Sequence, residues 1–367
     1  MERLPQLIII LCLFLTALSS VDARVKSVFV FGDSLFDPGN NRYIKNCTLQ
    51  ANFRPYGSSF FHHPTGRFTN GRTVADFIAQ FLGIKFQRPY QELVHRILPM
   101  RHHHKRLLHN GLNFASAGSG LLRDTNKDAK VTPIQVQLQQ FQSLIAQNHI
   151  HKNQTSKSLF FIGSGGNDVF TYFVYPGASK MTPRTYVRAM LREMVHTTGK
   201  IYKNGGRRFA FFSIGPMGCI PGRVLIRGAS LTQCTHKMDL MVKYYNAGLK
   251  RFVSKIPRLF PGAIGVYAAV FDTANKYLDN PKIYGFADVT RACCGAGPLN
   301  GQLQCGLRGY TMCLTPNAYF FWDYFHPTEH TYGLISKAFW AGGKEEVWPI
   351  NLKALSILTR NITLPIP

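Results

Sequence analysis

Phe29-Val30-Phe31-Gly32-Asp33-Ser34 decides how this chain is read. It closes a β-branched and aromatic run over residues 25–31 that stops at turn residues, the pattern of a buried strand feeding a turn. Working outward, short strands are expected over 111–115, 158–162, 208–214 and 263–271. The third of these five runs into Gly163-Ser164-Gly165-Gly166 and the fourth into Gly215-Pro216. Helical spacing fills the gaps. Val74, Phe77, Ile78 and Phe81 follow Thr73, a good N-cap, and Ile134, Leu138, Phe141 and Ile145 share one face over 133–147. Further helices are expected over 182–203, with Pro183 in the first turn, over 237–255, and over 328–340 after Pro327.

Near-continuous apolar strands alternating with helices imply an α/β fold, a parallel sheet with helices on both faces. No internal repeat, low-complexity tract or Pro-, Gly- and Ser-rich linker interrupts the rhythm, so residues 24–367 are read as a single domain. Ligands of such sheets bind outside the carboxyl ends of the strands. The polar, glycine-rich segments fall there: Gly32-Asp33-Ser34, Ala117-Gly118-Ser119-Gly120 and Gly165-Gly166-Asn167-Asp168.

Of 367 residues, 45% are hydrophobic and 17% charged, which excludes disorder by composition. The formal charge of +25 would suit an anionic partner such as nucleic acid, an acidic polysaccharide or a membrane surface. The positive charges are scattered, however, and no zinc-finger or RNA-recognition signature is present, so no nucleic-acid partner is expected. Residues 1–23 read as a secretory signal: Arg3, a 12-residue apolar run from Leu7 to Leu18, then Val21-Asp22-Ala23. That run is shorter than the roughly 20 residues a membrane span needs, and no later stretch qualifies, so no transmembrane segment is expected.

Seven of the eight cysteines follow this segment, and in an oxidising compartment most would pair. Cys219 and Cys234 suit one loop clip. Cys293, Cys294, Cys305 and Cys313 suit two more bridges of open connectivity, leaving Cys47 as the odd thiol. A zinc site competes for that cluster, but the adjacent Cys293-Cys294 pair does not fit a two-residue-spaced ligand pattern, and no metal is expected. Sequons at Asn46, Asn153 and Asn361 are glycosylation candidates consistent with secretion.

A serine hydroxyl attacks carbonyl carbon only when a base takes its proton, an acid orients that base, and donors face the developing oxyanion. Ser34 follows the first strand. Asp323 and His326 stand three apart in Trp322-Asp323-Tyr324-Phe325-His326-Pro327, so on a tight turn the carboxylate can hold one ring nitrogen and leave the other to face Ser34. Asn167 offers a side-chain amide, and Gly118 a backbone N–H open to close approach. Singly these are common features of turns and caps. Their order at successive strand ends gives them weight.

Phe29-Val30-Phe31-Gly32-Asp33-Ser34-Leu35-Phe36-Asp37-Pro38-Gly39-Asn40-Asn41 resembles the first block of the plant GDSL esterase/lipase family, within the SGNH hydrolases. Asn113-Phe114-Ala115-Ser116-Ala117-Gly118-Ser119-Gly120 is similar to its second block. Residues 162–168 match the third and 322–328 the last, and Gly215-Pro216-Met217-Gly218-Cys219-Ile220-Pro221 and Cys293-Cys294-Gly295 resemble further landmarks. The resemblance implies a three-layer α/β/α sandwich on a flavodoxin-like, mainly parallel five-stranded sheet. It also implies Ser34 as nucleophile, His326 as base and Asp323 as its orienting residue. The oxyanion hole would be the Ser34 and Gly118 N–H groups and the Asn167 amide, with Gly118 matching by its distance from Asn113 and Gly120 as the alternative. Tyr324-Phe325 depart from the smaller residues of many relatives.

The basic run Arg101-His102-His103-His104-Lys105-Arg106 belongs to no family block and reads as a solvated loop, with acidic cell-wall polysaccharide or a metal as sharper alternatives. There is no G-x-S-x-G elbow, H-E-x-x-H, P-loop or dinucleotide fingerprint. The expected activity is therefore a secreted, extracellular or cell-wall serine esterase or lipase that forms an acyl-enzyme on a lipid, cutin-like or acetylated-polysaccharide ester, with no cofactor. An acyltransferase on the same scaffold and a catalytically silent binding protein are the competing readings.

Overall fold

The computed structural model describes residues 25–97, 108–175, 177 and 179–358. The expected signal, the basic run 101–106 and the Asn361 sequon lie outside them. Five strands, β1 (Val28–Gly32), β2 (Gly111–Asn113), β3 (Leu159–Gly163), β4 (Arg208–Phe212) and β5 (Ile264–Ala268), pair in parallel in the order β2-β1-β3-β4-β5. Four short strands follow: β6 (Asp288–Ala292), β7 (Cys294–Gly295), β8 (Thr311–Met312) and β9 (Tyr319–Phe321). A last one, β10 (Val347–Trp348), adds antiparallel to the free edge of β5. The expected five-stranded parallel sheet is therefore present and gains a sixth edge strand, too short for its alternation to show in sequence.

The principal helices are α1 (Val74–Leu82), α2 (Ile134–Ala146), α3 (Gly166–Val174), α4 (Pro183–Lys203), α5 (His236–Leu259), α6 (Val270–Asp279), α7 (Glu329–Ala341) and α8 (Leu352–Ile357). Strand alternation sorts them into two outer layers. Phe29, Phe31, Phe160, Ile162, Phe209 and Phe211 point to the side covered by α2, α4 and α5. Val28, Val30, Leu159, Phe161, Ala210 and Phe212 point to the side covered by α1, α6, α7 and α8. Each of the larger side chains among these, removed from water, contributes about 1.5–3 kcal/mol.

The ends of these elements show what periodicity misses. Helix α1 starts where expected, and Asp76 accepts the Thr73 N–H at 2.9 Å. The run 263–271 splits: β5 stops at Ala268 and α6 starts at Val270, because one residue separates two apolar elements and no polar break marks the join.

Cys219–Cys234, Cys293–Cys313 and Cys294–Cys305 form disulfides, which leaves no thiol of that cluster for zinc, and Cys47 is a buried free thiol. Asn46 and Asn153 are exposed. Among the described residues no helix is long and apolar enough to cross a membrane.

Candidate active site

The turn after β1 is packed too closely for a side chain at its entry. Gly32 pairs with Gly163 across β1 and β3, and a Cβ on Gly32 would strike the Gly163 carbonyl oxygen. Gln137, reaching from α2, closes the strand end: its Oε1 accepts the Gly32 N–H at 2.9 Å and its Nε2 donates to the Gly32 carbonyl at 2.8 Å. The Ser119 hydroxyl donates to the same carbonyl at 2.8 Å. Beyond it, the Phe36 and Asp37 N–H groups turn back onto the Asp33 carbonyl at 3.1 and 3.0 Å. Ser34 therefore sits in a tight turn at the carboxyl end of β1.

Asp37, Asn40 and Asn41 fasten this turn to the loop after β2. Asp37 Oδ1 accepts the Gly39 and Asn40 N–H groups and its Oδ2 accepts Ala117 N–H at 2.9 Å. The Asn40 amide donates to the Asn113 and Ala115 carbonyls, and the Asn41 amide to Ala117. The motif after Ser34 is thus largely a clamp between two loops at the sheet's carboxyl edge. Gly118, in that second loop, has φ +82°, where a side chain would be strained and would run into Leu49. Among the described residues neither the Ser34 nor the Gly118 N–H has an acceptor.

Asn167 and Asp168 open α3 at the end of β3. Asn167 Nδ2 donates to the Ser119 carbonyl at 2.9 Å, which ties this third loop to the second and uses one of its two amide hydrogens. Asp168 is buried and accepts Leu121 N–H, Leu122 N–H and the Thr125 hydroxyl at 2.8–2.9 Å. Its carboxylate fills the space that a side chain on Gly120 would need.

Asp323 and His326 lie between β9 and α7. His326 Nδ1 is 2.7 Å from Asp323 Oδ1, which also accepts the Phe325 and His326 N–H groups at 2.9 Å. Asp323 Oδ2 accepts the Tyr56 hydroxyl at 2.7 Å. A carboxylate oxygen can only accept, so Nδ1 carries a proton, and in the neutral imidazole Nε2 is the nitrogen that holds the lone pair. Phe68 packs on the imidazole at 5.0 Å between ring centroids, and Trp322, Tyr56 and two disulfides form the apolar backing. The aromatic residues of segment 53–68 fall into two groups. Tyr56 and Phe68 pack into the site, whereas Phe60 and Phe61 lie nearer the surface under Arg72 and Arg67.

Electrostatics link the two ends of the chain. Burial raises Asp33 to about 7, opposed first by the Leu35 N–H and then by His326 when that ring is protonated. Burial also raises Asp37 and Asp168 to about 6, opposed mainly by the backbone N–H groups each accepts. The strand-end edge thus carries three buried carboxyl groups that resist ionisation.

The structure brings Asp323 into contact with His326, and sets Gly32, Ser119 and Asn167 in one hydrogen-bonded chain beside Ser34. Two participants escaped the sequence reading. Gln137 carries a signal, since it is a polar residue on the apolar face of α2 beside Ile134, Leu138 and Phe141. Tyr56 carries none, because it meets Asp323 across 267 residues. A cavity of about 840 Å³, lined by Phe173, Val187, Leu240, Met241 and Tyr244 with Arg184 and Lys237, contains none of these groups.

The GDSL-like lipase/acylhydrolase family model matches residues 28–339. GDSL esterase/lipase 6 of Arabidopsis thaliana is 51% identical over 359 residues, covering 97% of this chain and 98% of that protein. GDSL lipase of Tanacetum cinerariifolium is 32% identical, covering 95% and 93%, and GDSL esterase/lipase 7 of Arabidopsis thaliana is 33% identical, covering 90% and 92%. With the blocks folded onto one edge of a parallel sheet and a match over most of its length, the chain belongs to the GDSL esterase/lipase family, hydrolases that act on ester bonds.

Proposed function

We propose that this protein is a secreted serine esterase that works through an acyl-enzyme. Ser34 Oγ attacks the ester carbonyl carbon while His326 Nε2 takes its proton. The Asp323 carboxylate holds the imidazole by Nδ1–H and stabilises the imidazolium that forms. The oxyanion is received by the Ser34 and Gly118 N–H groups and the second amide hydrogen of Asn167. Gly118 is preferred to Gly120 by its spacing from Asn113 and because Gly120 has a packing reason, the Asp168 carboxylate. The imidazolium then protonates the departing alcohol. Water, deprotonated by the same Nε2, cleaves the acyl–Ser34 ester and restores the enzyme.

The observation that carries this reading is the 2.7 Å contact between His326 Nδ1 and Asp323 Oδ1, which leaves Nε2 as the base. It is supported by the packing of Phe325, next to His326, against Phe170 of α3, the helix that Asn167 opens, with ring centroids 4.6 Å apart. Secretion after loss of residues 1–23 is supported by the three disulfides, which persist in oxidising compartments. Exposed Asn46 and Asn153 suit glycosylation there. Residues 24–367 would then act as one catalytic unit on carboxylic esters.

The test is hydrolysis of p-nitrophenyl esters by the native chain and by Ser34→Ala. The variant should keep its circular dichroism and melting temperature and lose at least about 10³-fold in kcat, in line with loss of a triad nucleophile. An alkyl phosphonate should label the native chain at Ser34. A Ser34→Ala variant that turns over at the native rate, or a native chain that neither hydrolyses esters nor takes the label, overturns the reading.

A further inference from the structure

We propose that Tyr56 is a positioning residue for the proposed catalytic pair, its hydroxyl holding Asp323 by Oδ2 while His326 is held by Oδ1. This inference rests on the esterase reading above and adds a residue to its machinery.

The two carboxylate oxygens are anchored unequally. Oδ1 has three donors, all from the short segment 325–326, so they fix it only relative to its own turn. Oδ2 has, among the described residues, one donor, the Tyr56 hydroxyl, which arrives from a distant part of the chain. Without it the carboxylate is held at one oxygen only and by its own turn, so its plane, and with it the imidazole on Oδ1, is less firmly set against the rest of the site. With it, the carboxylate plane is fixed at both ends, and so is the direction of Nε2.

Tyr56 is itself held firmly. The residue is buried, and its ring meets Phe53, Phe68 and Trp322 edge-on with centroids at 5.5, 5.9 and 6.2 Å. Gln304 Nε2 donates to the Tyr56 hydroxyl oxygen at 3.3 Å and to the Gln50 carbonyl at 2.8 Å. That donor occupies the acceptor side of the phenol, so its own proton is directed at Asp323. Burial, reinforced by the Asp323 charge, pushes the phenol well above its usual value and keeps it a donor. Gln304 stands next to Cys305, whose disulfide to Cys294 closes the same apolar cluster. The relay therefore runs Gln304–Tyr56–Asp323–His326.

Tyr56→Phe keeps the ring and its packing and deletes only the O–H. In the full native chain it should lower kcat for a p-nitrophenyl ester roughly tenfold, the effect of one hydrogen bond to a charged group, with KM within about twofold. The low-field proton resonance of His326 Nδ1–H should move or broaden. A packing role alone would leave that resonance in place. Should Tyr56→Phe fail to fold, Gln304→Leu carries the test, with a smaller loss in kcat and the same displaced resonance. Native kcat in the folded Tyr56→Phe variant, a loss confined to KM, or an unmoved resonance overturns the proposal. The resonance needs no turnover, so it reads the relay even if Ser34→Ala overturns the esterase reading.

Discussion

The turn that carries Ser34 follows a five-residue strand paired on both sides, whereas the segment that carries Asp323 and His326 follows a three-residue strand paired on one. Backbone and amide hydrogen bonds position the first: Gln137, Ser119, Asp37, Asn40 and Asn41 reach it from helix and loops. The second has little regular structure, and two disulfides with Trp322, Tyr56 and Phe68 stand in for a sheet. Both regions reach a fixed geometry. The sheet does it by cooperative pairing, and the carboxyl-terminal segment by covalent links and aromatic packing. Perturbations should therefore act differently on the two.

The largest effect is expected where the second region touches the chemistry. Asp323→Asn keeps the size of the side chain but offers an N–H to the imidazole or to Tyr56. Either way the donor–acceptor order of the relay is broken, and Nδ1 loses the partner that keeps it protonated. Turnover should fall about 10³- to 10⁴-fold, the order seen when a triad carboxylate becomes an amide, with the melting temperature changed by only a few degrees. Steady-state kinetics beside thermal melting checks this, and a near-native kcat would remove Asp323 from its role.

Replacing Cys294 and Cys305 by alanine comes next. This bridge spans 11 residues, for which the chain-entropy account gives about 3 kcal/mol of stability. Both residues are fully buried against Trp322, so the pair should lower the urea midpoint clearly. It should also reduce kcat more than KM, because the loosened segment holds the Tyr56–Asp323 contact. Phosphonate labelling of Ser34 in the same variant would slow in step with kcat. An unchanged midpoint and an unchanged kcat would show that packing alone holds the second region, which would break the contrast drawn above.

That contrast also explains what was legible in the sequence. The sheet and its helices were readable because β1, β3 and β4 are apolar on both faces and α1 and α2 repeat at 3.6 residues, so local pattern and tertiary burial agree. Ser34, Gly118, Asn167, Asp323 and His326 were legible as blocks at strand ends. The pairing of Cys293 with Cys313 and of Cys294 with Cys305 was not, since adjacent cysteines carry no directional signal. Nor was Tyr56, whose partner is set by tertiary approach across 267 residues. Asp37, Asn40 and Asn41 were seen as part of the first block, but their clamping of the second loop became visible only with the hydrogen bonds.

The smallest predicted effect belongs to the first region and is read in stability alone. Asp33 is buried beside Ser34 and titrates near 7, above its ordinary 3.8, because burial outweighs the Leu35 N–H and the His326 charge. The folded state therefore holds its proton more tightly than the unfolded chain does. The stability this group supplies is fully present below about pH 4 and is lost as pH rises through 7. Asp33→Asn keeps the oxygen that accepts the Leu35 N–H at 3.1 Å and abolishes the titration. Between pH 5 and pH 8 the native chain should lose roughly 2 kcal/mol more of unfolding free energy than the variant does. Urea titrations of both chains at the two pH values read the Asp33 contribution together with its coupling to His326 and Asp168, the remaining ionisable groups being common to both. Equal pH slopes would mean that Asp33 ionises as readily folded as unfolded, and that water or a rearranged loop reaches the turn that the hydrogen bonds around Gly32 otherwise keep closed.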